Sequence, residues 1–338
     1  MNPRQKRILL GVGYAGFYLF ALLLFAYLSF PYDRLRTRIE SEFNARQTGP
    51  HPLTLKLGHV TSYWLSGVQA TDVELISPPT PSSPGAADAK PSKPKIMRID
   101  ELHARVSLIR YLFGTTHVDF RADAFGGSLS GFTSDADNGR KLVVEIEDLN
   151  LADAPLIGDT IGLPVSGHLS GNIDLLLPEQ KLSKAEGKVE LTFSGLAIGD
   201  GKAKIQDTIA LPKLDVGTLE LAADAATGTL KITKLAAAGK DLDLAADGAI
   251  RLRDPFDSSQ LGLTLAFKFS EKFTNKDDLT RSIFGAPGSP IPGVFDLDPS
   301  RKRAKRADGS YGWRVSGPID KFQFTAAPEV SPGGARGK

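Results

Sequence analysis

From Val165 onward the chain sets an apolar side chain on every second residue, segment after segment. The stretch "KDLDLAADGAIRL" (Lys240–Leu252) is the clearest case: Leu242, Leu244, Ala246, Gly248, Ile250 and Leu252 alternate with Asp241, Asp243, Ala245, Asp247, Ala249 and Arg251. A period of two belongs to a β-strand with one apolar and one wetted face. The same alternation places Leu169, Ile173 and Leu175 together, then Val189, Leu191 and Phe193, then Leu263, Leu265 and Phe267. Such strands, recurring every ~10–14 residues between glycine-marked turns, predict a meandering antiparallel sheet. Very few helical patterns are available to cover it. The apolar face must therefore pack on a second sheet, curl into a barrel, or form a groove for something that is not protein.

A second feature fixes where such a sheet would sit. Ile8–Phe30 is 23 residues without a charge. As a helix it would span about 34 Å, enough for a hydrocarbon core of about 30 Å. It is long for a signal-peptide core, and "AYLSFP" is a poor cleavage site, so an uncleaved anchor is expected. Arg4, Lys6 and Arg7 orient residues 1–7 toward the cytoplasm, which places the large domain outside, in the periplasm if the host is a bacterium. Those three are the only charges in residues 1–30, so the rest holds 38 basic and 39 acidic side chains. That balance argues against a nucleic-acid partner.

After the anchor, "PYDRLRTRIESEFNAR" places Tyr32, Leu35, Ile39 and Phe43 on one helical face. It is either a stem packing on the domain or an interfacial helix whose Arg34, Arg36 and Arg38 meet lipid headgroups. Strands follow in "PLTLKLGHV" and "GVQATDVELI". Ser77–Lys95 is Pro/Ser/Ala-rich and is expected to be a disordered loop. "SLIRYLFGT" suggests a short helix ending at Gly114, "DAPLIGDTIGL" another, and "KDDLTRSIFG" a third. Ala286–Gly309 is expected to be a Pro/Gly-rich loop, and residues 327–338 a disordered tail. Within that loop, Arg301, Lys302, Arg303, Lys305 and Arg306 form the densest basic run. It is either a solvated tip or a contact for anionic headgroups or an acidic partner.

No segment carries a catalytic pattern. "DADNG" (Asp135–Gly139) has the glycine of a calcium loop one residue early and Ile146 at the twelfth position, so Asn138-Gly139 is expected to be a hairpin turn. "GVGYAG" (Gly11–Gly16) lies inside the apolar span and follows no strand, which excludes a nucleotide loop; Gly11 and Ala15 could let a second span approach. The five histidines show no H-x-x-x-H pair, and the absence of cysteine removes thiol chemistry and cysteine-ligated metals. No cofactor, metal or enzymatic activity is expected. Tyr63, Trp64 and Trp313 are expected in the core or at a sheet edge.

Several phrases taken together, "FPYDRLRTRIE", "WLSGVQATDVELI", "IDELHARVSLIRYLFGTTHVDFRADAFGGSLSG", "SGHLSGNIDLLL" and the closing "WRVSGPIDKFQF", resemble the type II secretion system protein N (GspN) family of Gram-negative bacteria. More distantly, the chain is similar to AsmA-like inner-membrane proteins. The first resemblance implies an accessory, scaffolding part of the machinery that exports folded proteins, with other envelope proteins as partners. The second implies a curved β groove that shelters phospholipid acyl chains. The expected organisation is mainly β: a cytoplasmic end (1–7), a transmembrane helix (8–30), a stem (31–46), and an elongated antiparallel sheet domain (47–326) that is groove- or sandwich-like. Its candidate apolar face comprises Leu169, Ile173, Leu175, Val189, Leu191, Phe193, Leu242, Leu244, Ile250, Leu263, Leu265 and Phe267.

Overall fold

The computed structural model describes residues 3–47, 52–64, 66–78, 94–154, 163–200, 204–205, 209–210, 212–285 and 293–327. The chain is mainly β, with one large antiparallel sheet and a few helices. It divides into two compact units, Met1–Ile96 with Glu101–Arg105, and Met97–Asp100 with Val106–Lys338.

The first unit opens with helix α1 (Pro3–Leu28) and continues into α2 (Tyr32–Arg46). Among the described residues no helix is long and apolar enough to cross a membrane. The side chains of Ile8, Leu9, Leu23 and Ala26, which belong to the expected span, lie outside that description. Three strands follow: β1 (Thr54–Lys56), β2 (His59–Tyr63) and β3 (Gly67–Ser77), with β3 pairing both of the others. Val73 on β3 is the most buried side chain here, 1% exposed.

Helix α2 is tied to β1 and the turn after it by a polar stripe. Arg36, Glu40 and Asn44 are spaced four apart and so share one side of the helix. Arg36 Nη1 donates to the Gly58 carbonyl at 3.0 Å, Glu40 accepts from the Leu57 N–H at 2.7 Å, and Asn44 Oδ1 accepts from the Leu55 N–H at 2.8 Å. These side chains satisfy backbone groups that a neighbouring strand would otherwise pair. Arg36 is therefore not free for a headgroup, and Arg38 is paired with Glu42 at 2.8 Å; Arg34 is exposed.

Strand β4 (Lys95–Val106) contributes residues to both units. The second unit continues with the short helix α3 (Leu108–Leu112) and strands β5 (His117–Ala124), β6 (Gly127–Ala136), β7 (Gly139–Asn150), β8 (Val165–Pro178) and β9 (Glu186–Ile198). After a two-stranded pair, β10 (Lys204–Ile205) and β11 (Ile209–Ala210), come β12 (Leu214–Ala226), β13 (Thr229–Ala238), β14 (Leu242–Arg251) and β15 (Gln260–Phe269). Helices α4 (Glu271–Thr274), α5 (Asp278–Phe284), α6 (Val294–Leu297) and α7 (Pro299–Ala304) precede β16 (Tyr311–Pro318) and β17 (Gln323–Ala326). Each large strand pairs its sequence neighbours, in the order β5-β6-β7-β8-β9-β12-β13-β14-β15-β16-β17. The order is a path ending on β17, which pairs β16 alone, so the described strands do not close into a barrel. The separate sheet among the described residues has two short strands, too few for a sandwich partner.

Local chemistry sets the helices. Asp277 and Thr280 form a capping box at α5, with Asp277 Oδ1 accepting from the Thr280 N–H at 2.7 Å. Asp298 accepts from the N–H groups of Ser300 and Arg301, and Pro299 starts α7.

Several expectations change. Residues 294–304, expected within a loop, form two short helices, because the Asp298-Pro299 cap starts α7 and the buried Ala304 pins its end. Residues 286–292 and the tail 328–338 lie outside the described residues, as does most of the Ser77–Lys95 loop, from 79 to 93. Of "DAPLIGDTIGL" only Asp153, Ala154 and Leu163 are among the described residues, and Asp153 closes a 3-10 turn, Leu151–Asp153, capped by Asn150. The hairpin turn near Asp135 is Asp137-Asn138, since Ala136 pairs Gly139. Trp64 is 70% exposed at the β2–β3 turn with φ +53°, so it belongs to no core.

Candidate functional site

The register of the second unit puts apolar residues into rows that cross the sheet. One row runs Phe120–Gly131–Val144–Ile173–Val189–Ala223–Ile232–Gly248–Leu263–Val315–Phe324, each residue directly opposite the next. Every member is apolar or glycine. The next row includes Leu142, Leu175, Gly187, Ala225, Leu230, Ile250 and Leu261. On the other side of the first row, Leu191 faces Leu221 and Leu265 faces Trp313. Beyond them Phe193 faces both Leu169 and Leu219, and Leu244 faces Phe267. All twelve residues expected on an apolar face thus share one face of the sheet.

The opposite face is charged in alternation. Asp174, Lys188, Asp224 and Lys231 are opposite one another on four successive strands, β8, β9, β12 and β13. Lys141 reaches Asp174 at 3.2 Å. Opposite charges across strands favour this pairing, and their exposure keeps this face in water.

What covers the apolar face differs along the strands. At one end Leu242 is buried in a cluster with Leu151, Val165, Leu196, Leu214, Val216, Ala237 and Phe273 of α4; Leu169, Phe193, Leu244 and Phe267 pack against it. Aromatic rings roof this end. Phe269 lies 4.7 Å from Phe284 of α5 and 5.8 Å from Phe273, and Tyr311 lies 5.2 Å from Phe295 of α6. Away from this roof the face is half-buried at Ile173, Val189, Leu191, Ile250, Leu263 and Leu265, although Leu175, Ala223, Ala225, Ile232 and Val315 are buried. Among the described residues of the second unit, helices α4 to α7 sit at the roofed end. Bulges in β12 and β13, at Asp215–Leu219, Ala222–Ala223 and Ile232–Ala236, accompany it; bulges bend strands and increase their twist. At Gly217 the chain takes φ +71°, a conformation that glycine adopts without strain.

The basic run is part of this roof. Arg301 stacks over Phe295, 4.9 Å from the ring centre, and Lys305 pairs with Asp296 while lying 5.7 Å above the Tyr311 ring. The Tyr311 hydroxyl donates to Asp296 at 2.7 Å. Burial first, and this carboxylate second, raise the Tyr311 hydroxyl above the ordinary tyrosine range. Lys302 and Arg303 are exposed, and Arg306 is half-buried. The run is thus a helix clamped to the domain rather than a free tip, which its composition alone could not reveal.

One surface escaped the sequence reading. Between β4 and β5, Leu108, Ile109, Tyr111, Leu112 and Phe113 are all exposed, from 49% at Leu108 to 84% at Phe113. The signal was present in "LIRYLF" as an apolar run, but a buried short helix would have the same composition.

Comparisons with family models, with curated proteins and with solved structures give no match to this chain.

Proposed function

We propose that this protein is a non-enzymatic, membrane-anchored binding component of a Gram-negative envelope, serving type II secretion as an accessory scaffold. The observation that carries the binding role is the unbroken apolar row from Phe120 to Phe324 across eleven strands, buried at Ala223, Ile232 and Val315 but half-buried at Val144, Ile173, Val189 and Leu263. Apolar sheet surface left without a second layer is a binding surface in waiting. The secretion role rests on the resemblance of the sequence phrases to the GspN family. The anchor is α1, on which Val12, Tyr14, Phe17, Tyr18, Leu22 and Phe25 are all exposed; a helix apolar on every side belongs inside protein or lipid. Deleting the gene in its host tests the role. Secreted enzymes should accumulate in the periplasm, and normal export would sink it.

A second reading has its own support. The half-buried members of the same row, Val144, Ile173, Val189 and Leu263, would line a groove for acyl chains, the role implied by the AsmA resemblance. Native mass spectrometry of the full chain released from membranes separates the two. Phospholipid adducts lost in Leu263→Glu would favour lipid handling, and a lipid-free chain would leave the scaffold.

A further inference from the structure

The segment Ser107–His117 projects as a closed tip. Its base is shut by the Ser107 N–H donating to the His117 carbonyl at 2.9 Å. Its far side turns back at Gly114, whose φ is +80°, and the Thr115 N–H donates to the Arg110 carbonyl at 3.0 Å. The five large apolar side chains of the tip point outward: Leu108 and Tyr111 are 49% and 63% exposed, Ile109 72%, Leu112 82% and Phe113 84%. Arg110, the single charged residue of the tip, is directed inward. Its Nη1 lies 2.6 Å from His117 Nδ1, and His117 Nε2 lies 3.1 Å from Asp119. His117 is itself buried and stacked on Phe132 at 5.1 Å.

We infer that this tip inserts into the outer half of a lipid bilayer as a second membrane contact. The inference rests on the proposed anchoring of the chain by α1. Two features favour lipid over a protein partner. The side chains protrude, most of all Leu112 and Phe113 at 82% and 84% exposed, and a fluid phase accommodates a convex apolar tip without a matching pocket. A single helical turn and a half, about 7.5 Å long, matches the ~5–10 Å depth at which interfacial segments sit.

The absence of cysteine makes the test clean. The full chain is reconstituted into vesicles of phosphatidylethanolamine and phosphatidylglycerol as three separate variants, Leu112→Cys, Tyr18→Cys and Asp247→Cys, each labelled with an environment-sensitive fluorophore. Position 18 reports the anchor and position 247 the exposed, charged face. The expected result is a blue shift and loss of emission to doxyl-labelled lipid at 112, as at 18, with neither at 247. Quenching at 18 but an aqueous probe at 112 overturns the tip contact and leaves the anchor standing. An aqueous probe at both positions overturns both. A probe at 112 shielded from iodide yet untouched by doxyl lipid would mean that protein covers the tip, and this too overturns the inference. Because Leu112 is exposed, its replacement leaves folding intact, which circular dichroism of each variant checks.

Discussion

The side-chain amide of Asn44 engages both backbone groups of Leu55: Oδ1 accepts from the N–H at 2.8 Å and Nδ2 donates to the carbonyl at 3.4 Å. A helix here does what a neighbouring strand would do, closing the hydrogen bonds of β1. Asn44→Ala leaves both groups open and should cost about 1–2 kcal/mol. Hydrogen exchange at Leu55 and Leu57 should accelerate, while exchange in β12 to β15 should not. Unchanged protection at Leu55 would mean that water replaces the amide at no cost.

The roofed and unroofed parts of the apolar face should respond differently. Phe273 is 2% exposed, and Phe273→Ala should destabilise the domain by about 3–5 kcal/mol. Leu263 is half-buried, and Leu263→Glu should cost less while abolishing any apolar ligand. Urea melts of the two variants make the comparison. Equal and severe losses would mean that the middle of the face is closed core rather than open surface.

Gly248 and Gly262 are diagonal neighbours on adjacent strands, opposite Leu263 and Ala249 respectively. Gly248 has φ +129°, and a Cβ added there would fall on the Gly262 carbonyl; one added at Gly262 has its nearest neighbour at 3.6 Å. Gly248→Ala should destabilise by more than ~1 kcal/mol, and Gly262→Ala should be neutral or slightly stabilising. Thermal melts that rank the two the other way would refute the register described for β14 and β15.

The Tyr311–Asp296 bond sets an alkaline limit. The folded state holds Tyr311 above its unfolded value of about 10. Its contribution is therefore fully present below about pH 10 and is lost as pH rises through the folded value. Tyr311→Phe should cost about 2 kcal/mol at neutral pH, since the acceptor is a carboxylate, and should flatten the decline above pH 10. A variant whose alkaline melt parallels the parent would exclude Tyr311 as the cause.

Asp277 and Asp298 act at the other extreme. The Thr280 N–H at the first and the Arg301 N–H at the second hold each carboxyl below the ordinary aspartate range. Depressed values contribute stability that is present above about pH 4 and lost as pH falls through the folded value. Asp277→Asn and Asp298→Asn should each remove part of the acid-induced loss of the roof, followed by near-ultraviolet circular dichroism of its aromatic cluster.

The strands and their apolar face were legible in the sequence because side-chain direction alternates strictly with position. The residues from Leu169 to Phe267 needed only a period of two to be assigned to one face, and α2, α3 and α5 followed from their local periodicity and turn residues. Tertiary structure alone decided the rest. Whether Leu242 and Leu263 meet the same surroundings depends on where Phe273 and Phe284 return to the sheet, and these lie far from Leu242 in sequence. Arg36 and Lys305 looked like free cations because composition records a charge and not its partner; Gly58 and Asp296 became those partners only when the chain folded. "LIRYLF" has the composition of a buried helix, and its exposure followed from the absence of any described element above it. Local alternation is written into neighbouring residues, whereas coverage is set by distant ones.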